Sequence, residues 1–216
     1  MNKLIFYALL FWASTLYSVA QDVEKSDKAL TGGGRFELGI RSTGSFFNDA
    51  NAAGMGWGGQ FRLRILKRLN TEWYSDFFTA NIGNIGTRKD AHIGWSVMMY
   101  PFNTDKSQGK FTPYVIVGNC FDGSRVYENN DLSNSKRQYS VAMQLGLGTS
   151  YNITDNFDVT LTCQYMNHLG GHLRSRIVGE NYDQHLEIVK SGKTAIDGHL
   201  LVSLTLNVKL FDLWKY

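Results

Sequence analysis

The amino-acid sequence predicts an all-β protein, an eight-stranded antiparallel up-and-down transmembrane β-barrel preceded by a cleaved signal peptide. Three observations lead there. The N-terminus carries an export leader, apolar residues then recur with a period near 2 in eight successive segments, and the connections between segments alternate between short and long. Composition agrees: aromatic residues make up 13% of the chain, and 22 Gly stand against 2 Pro, a balance that suits pleated structure better than helices.

The leader is MNKLIFYALLFWASTLYSVAQ, in which Lys3 precedes an apolar run from Leu4 to about Leu16 and the small-x-small ending Ser18-Val19-Ala20. This predicts a signal peptide over 1–20, cut between Ala20 and Gln21. The run is shorter than the roughly 20 residues of a spanning helix. No Cys stands at the junction, which argues against a lipid-anchored N-terminus. Residues 21–33 read as a short polar periplasmic tail and 34–216 as the barrel. The formal net charge of +3 includes Lys3 of the leader, and maturation lowers it by one. Such a balance gives no footprint for nucleic acid.

The first strand is Arg35 to Arg41, with Phe36, Leu38 and Ile40 on one face and Arg35, Glu37 and Arg41 on the other. The second, about Met55 to Leu66, sets Trp57, Phe61, Leu63 and Ile65 against Gln60, Arg62 and Arg64. The third opposes Trp73 and Phe77 to Glu72, Tyr74 and Asp76. The fourth, about His92 to Tyr100, carries Ile93, Trp95, Val97 and Met99 on its apolar face, and Pro101, which cannot donate to a ladder, closes it.

The fifth, Phe111 to Phe121, is ambiguous in parity, because Val115/Val117 and Tyr114/Ile116 are both apolar pairs. In the sixth, about Gln138 to Tyr151, Tyr139, Val141, Met143, Leu145 and Leu147 oppose Ser140, Gln144, Gly146 and Gly148. The seventh alternates Phe157, Val159, Leu161, Cys163 and Tyr165 with Asp158, Thr160, Thr162 and Gln164. The eighth, about Leu200 to Phe211, alternates Val202, Leu204, Leu206 and Val208 with Ser203, Thr205, Asn207 and Lys209.

Strands of this length cross a bilayer at a steep tilt, and an even number can close without an exposed edge. With the N-terminus periplasmic, the connections at 67–70, 101–110 and 152–156 are the periplasmic turns. Those near 46–54, 83–91, 122–137 and 168–198 are longer, polar and extracellular. A soluble up-and-down barrel is the competing architecture. Its apolar face would point inward, whereas here the other face collects ions, Gly, Ser, Thr and Gln, a poor soluble core but a fitting interior for a barrel in lipid.

Gly94-Trp95-Ser96-Val97-Met98-Met99-Tyr100-Pro101, Thr112-Pro113-Tyr114-Val115 with Gly118, and Gly146-Leu147-Gly148-Thr149-Ser150-Tyr151 before Asn152-Ile153-Thr154 resemble the OmpA/OmpX-type eight-stranded outer-membrane β-barrel superfamily, the "porin family" barrels. The resemblance covers everything after the leader and speaks to architecture rather than activity. It implies a Gram-negative outer-membrane location, with outer-membrane lipid as surroundings and the barrel-assembly machinery as partner during biogenesis. Members commonly end in an aromatic residue that this machinery reads, a role open here to Phe211 or Tyr216.

The predicted inward faces bring together Glu37, Arg41, Arg62, Arg64, Glu72, Asp76 and Lys209, with Arg35, on neighbouring strands once the eighth closes on the first. Both signs are present, and an eight-stranded interior is just wide enough for side chains, so the expectation is a paired structural ion network plugging the barrel. The alternative is a small ion or solute channel.

Gly54-Met55-Gly56-Trp57-Gly58-Gly59 matches G-x-G-x-x-G, but a strand follows where a dinucleotide site needs a helix. His168, His172 and His185, near Glu180 and Asp183, could be read as metal ligands, yet a long loop offers no fixed geometry. Lipid A deacylases of this architecture place a His and a Ser close together on a strand. The residue two on from His168 is Gly170, so that Ser is missing here. Cys163 shares the lipid face of its strand while Cys120 faces inward two strands away, beyond disulfide reach. The expectation is a monomeric, non-enzymatic surface barrel without cofactor or metal, presenting the loops at 122–137 and 168–198 to an unspecified extracellular ligand.

Overall fold

The computed structural model describes residues 33–47, 53–102, 110–170, 172–179, 184–191 and 197–214. The leader, nearly all of the N-terminal tail, Glu180, Asp183 and Tyr216 lie outside them. The chain forms β1 (Arg35–Phe47), β2 (Ala53–Leu66), β3 (Leu69–Ile82), β4 (Gly86–Met99), β5 (Phe111–Glu128), β6 (Ser135–Asn152), β7 (Phe157–Leu169), β8 (His172–Val178), β9 (His185–Ser191) and β10 (Asp197–Asp212). Eight of these close a barrel in the order β1-β10-β7-β6-β5-β4-β3-β2, every pair antiparallel, and β8 and β9 form a separate hairpin.

The period-2 pattern sets which way each strand faces. Along β2 and β3 exposed and buried residues alternate. Trp57 is 69% exposed, Phe77 63%, Phe121 66% and Leu147 65%, while Arg41, Arg62, Glu72 and Asp76 are all buried. This is inside-out relative to a soluble protein and is what a barrel in lipid requires, since hydrocarbon accepts apolar side chains and rejects ions. An aromatic band runs across five neighbouring strands on the outer face: Phe211 stacks on Phe36 at 5.0 Å, Phe36 on Phe61 at 5.9 Å, Phe61 on Trp73 at 5.9 Å, and Trp73 meets Trp95 at 5.8 Å. Aromatic girdles of this kind sit where hydrocarbon gives way to headgroups.

The ambiguous parity of the fifth strand resolves with Tyr114 and Ile116 inside and Val117 outside. Tyr114 decides it. Its hydroxyl lies 2.5 Å from Thr162 Oγ1, and its ring occupies the place where residue 148 would carry a side chain, since a Cβ there would fall 2.3 Å from the ring. Tyr74 uses Gly94 in the same way and donates to Gln144 Oε1 at 2.7 Å. Glycine at these two positions makes room for an inward tyrosine on the adjacent strand.

The extracellular side differs from the expected long loops in two respects. First, β4, β5 and β6 continue through much of the segments expected as connections at 83–91 and 122–137. They leave only 83–85 and 129–134 between strands. The extra length is mostly polar, with Val126 its one buried aliphatic side chain, which hid it from an apolar periodicity, but its backbone groups pair in unbroken register from Gly86 opposite Glu128 down to Met99 opposite Val115. In the 129–134 turn, Asp131 accepts from Ser133 N at 3.0 Å and Ser133 Oγ at 2.6 Å, which holds its carboxyl below the usual range.

Second, the 168–198 segment is not an open loop. Its β8–β9 hairpin packs on the extracellular ends of the strands, with Leu173, Leu186 and Ile188 against Ile82, Val126 and Ile85. Lys136 Nζ donates to Ile188 O, Asn134 Nδ2 to Leu186 O, and Leu186 N to Glu128 Oε2.

Candidate functional site

The inward side chains stack in layers along the barrel axis. At the periplasmic end Met98, Tyr100, Tyr114 and Ile116 form an apolar layer. Above it lies the ion network. Arg62 reaches across from β2 to Glu72 on β3, with Nη2 2.6 Å and Nε 2.8 Å from Oε2. Arg41 on β1 places Nη1 3.2 Å from Glu72 Oε1 and Nε 3.0 Å from Asp76 Oδ1, donates to Ser203 Oγ on β10, and lies 4.2 Å over the Tyr74 ring.

Two cations and two carboxylates thus neutralise one another at full burial, the arrangement in which buried ions are tolerated. The network extends through Gln60, Asn207, Thr160 and Asp158, with Asn207 Nδ2 donating to Asp158 Oδ1 at 2.8 Å.

Of the residues singled out in the sequence, Arg41, Arg62, Glu72 and Asp76 therefore meet directly. Glu37 is buried nearer the periplasmic end, where it pairs with Arg35 at 2.8 Å. Arg64 lies 5.6 Å over the Tyr100 ring. Lys209 pairs with Asp212 at 2.6 Å on the same strand and stands apart from the central group.

On the extracellular side of the ions Phe78, Cys120, Ala142, Met166 and Leu201 form a second apolar layer. Above that layer, beneath the hairpin, is a polar cluster from four strands. Asp122 Oδ1 lies 3.3 Å from His92 Nε2, Asp122 Oδ2 lies 3.5 Å from His168 Nδ1, and His168 Nε2 lies 3.2 Å from His199 Nδ1.

Sequence reading singled out His168 but grouped it with His172 and His185. The register brings it instead to His92 and His199, while His185 sits exposed on β9. Asp122 and His199 escaped notice because both fell just outside the expected strand ends. Their inward parity was the available signal. Among the described residues, no three His, Cys, Asp or Glu side chains converge in a metal-ligating arrangement.

A serine does stand beside His168, and it comes from the adjacent strand: Ser140 Oγ is 3.0 Å from His168 Nδ1. The acid, however, approaches that same nitrogen, and Ser140 is also 3.3 Å from Asp122 Oδ2. A Ser-His-acid triad needs the acid and the hydroxyl on opposite nitrogens, so that the imidazole is held by one and accepts a proton from the other. Cys120 is buried and Cys163 is exposed on the outer face, both as free thiols.

No protein-family model and no curated protein sequence matches the chain. Solved structures do. The chain is similar to the outer membrane protein OprG from Pseudomonas aeruginosa (13% identity, 82% of this chain and 96% of that one, TM-score 0.58). It is also similar to the neisserial surface protein NspA (15% identity, 82% and 96%, TM-score 0.54) and to the N-terminal β-barrel domain of Pseudomonas aeruginosa OprF (14% identity, 83% and 100%, TM-score 0.52). The fold is that of the eight-stranded outer-membrane β-barrels.

Proposed function

We propose that this chain is a non-enzymatic outer-membrane β-barrel with a plugged polar interior, which presents its extracellular strand ends and hairpin for envelope structure or surface interaction. The observation that carries the reading is the layering of apolar and paired charged side chains along the barrel axis. Two apolar layers flank a network of paired buried charges, and the β8–β9 hairpin packs on the extracellular strand ends. Apolar constrictions exclude water and ions, and paired buried charges leave no mobile site for a permeating ion. The shared Nδ1 at His168 supports the non-enzymatic part, since it leaves Ser140 without a properly oriented base.

Planar-bilayer recording of purified protein tests the proposal. The expected result is no steady conductance, with or without residues 172–191. A channel that opens only on hairpin deletion would favour the gated small-channel alternative.

A further inference from the structure

Outside the barrel, where β4, β5 and β6 continue toward the surface, the register sets three cations side by side. Lys89 pairs with Arg125 across β4 and β5, and Arg125 with Arg137 across β5 and β6. All three alternate with inward neighbours and so face outward. Like charges directly opposite in a sheet repel one another, and at the usual spacing of about 4.8 Å between strands this row is costly without a counter-anion. Among the described residues no carboxylate pairs with any of the three. Lys89 and Arg125 instead lean on one ring, 5.8 Å and 5.3 Å from Tyr127, and Arg125 Nε is buried without a hydrogen-bond partner.

The next row toward the membrane is Phe77, Ala91, Gly123 and Tyr139, and the one after it holds Ile93, Phe121 and Val141. Phe77, Ala91, Gly123 and Tyr139 line a hollow of 390 Å³ together with the three cations. A charged rim over an apolar wall matches an amphiphile, with phosphate on the cations and acyl chains on Phe77, Ile93 and Phe121.

We infer that Lys89, Arg125 and Arg137 form a binding site for the phosphorylated headgroup of a lipid in the surface leaflet. The inference rests on the outer-membrane reading above. A chain that does not insert into vesicles at all would mark the failure of that reading, whereas an inserted barrel with no phosphate preference would mark the failure of this one.

The test is native mass spectrometry of the whole barrel in zwitterionic micelles, titrated with dioleoyl phosphatidic acid, with dioleoylglycerol, which lacks only the phosphate, or with inorganic phosphate. Wild type should retain phosphatidic acid in preference to the diacylglycerol, and inorganic phosphate should not displace it. The K89Q/R125Q/R137Q variant should bind phosphatidic acid at least about tenfold more weakly. A variant with equal charge loss at the periplasmic turns, K67Q/R68Q/K110Q, should bind as wild type.

Equal retention of both lipids by wild type overturns the inference without recourse to any variant. Equal weakening in the two triple variants, or displacement by inorganic phosphate, overturns it as well. Removing mutual repulsion should leave lipid-free thermal stability of K89Q/R125Q/R137Q at or above wild type. A drop would show that the cations are already satisfied within the protein.

Discussion

Glu72→Gln is the most informative perturbation of the interior. Glu72 lies 2.6 Å from Arg62 Nη2 and 3.2 Å from Arg41 Nη1, so the substitution removes one charge and leaves two guanidinium groups facing a neutral amide. The consequences for the two arginines differ. Arg41 keeps Asp76 at 3.0 Å, but among the carboxylates of the described residues Arg62 retains only Asp158, at 4.0 Å, besides its hydrogen bond to Thr160.

A unit-charge contact near 3 Å carries about 5 to 6 kcal/mol of Coulomb energy at an effective dielectric near 20. Part of this is recovered by the amide and by relaxation, so the net loss expected from breaking one side of a buried pair is about 3–5 kcal/mol. Urea titration of folding into phosphocholine vesicles, followed by tryptophan emission, measures it. Replacing both partners, R62M/E72L, should cost less than E72Q alone, because the unpaired guanidinium goes with its carboxylate, Arg41 keeps Asp76, and Asp158 keeps its hydrogen bonds from Asn207 and Thr160. A loss under about 1 kcal/mol in E72Q would refute the reasoning, and would mean that water rather than Glu72 solvates Arg62.

Three further outcomes follow from the same geometry. Gly148→Ala should cost about 1–3 kcal/mol because the new methyl must displace the Tyr114 ring, which is 2% exposed and bonded to Thr162. The loss should shrink in a Tyr114→Ala background, as a double-mutant cycle would read. In the folded barrel a membrane-soluble maleimide should label Cys163 and spare Cys120, with both labelled after denaturation and no mass difference between reduced and non-reduced protein. Deleting 172–191 should leave the heat-modifiable gel shift of the folded barrel intact, since the hairpin forms a sheet of its own, and loss of that shift would show that the barrel needs its cap to close.

Much of the architecture was legible in sequence because a strand's side chains alternate with period 2 and lipid demands one consistent face. Leu38, Phe61, Phe77, Ile93 and Leu147 declare the outside, and Arg41, Arg62, Glu72 and Asp76 the inside, with no knowledge of partners. Where apolar residues are too sparse to alternate, that signal vanishes. Gly86 to Ala91 and Asp122 to Glu128 therefore read as loops although their backbones pair throughout. Leu173, Leu186 and Ile188 fall in short, interrupted alternations, and only contact with Ile82 and Val126 makes them a cap.

The number of barrel strands, the lipid face and the inward parity of Arg41, Arg62, Glu72 and Asp76 thus come from sequence, because each depends on a residue's own polarity and position along its strand. The meeting of His92 with Asp122, of Ser140 with His168, and of Lys89 with Arg125 and Arg137 depends on register between strands. Register is set by the closure of the whole barrel, since a slip of one residue would turn every side chain of a strand to the other face. Those encounters belong to the tertiary structure alone.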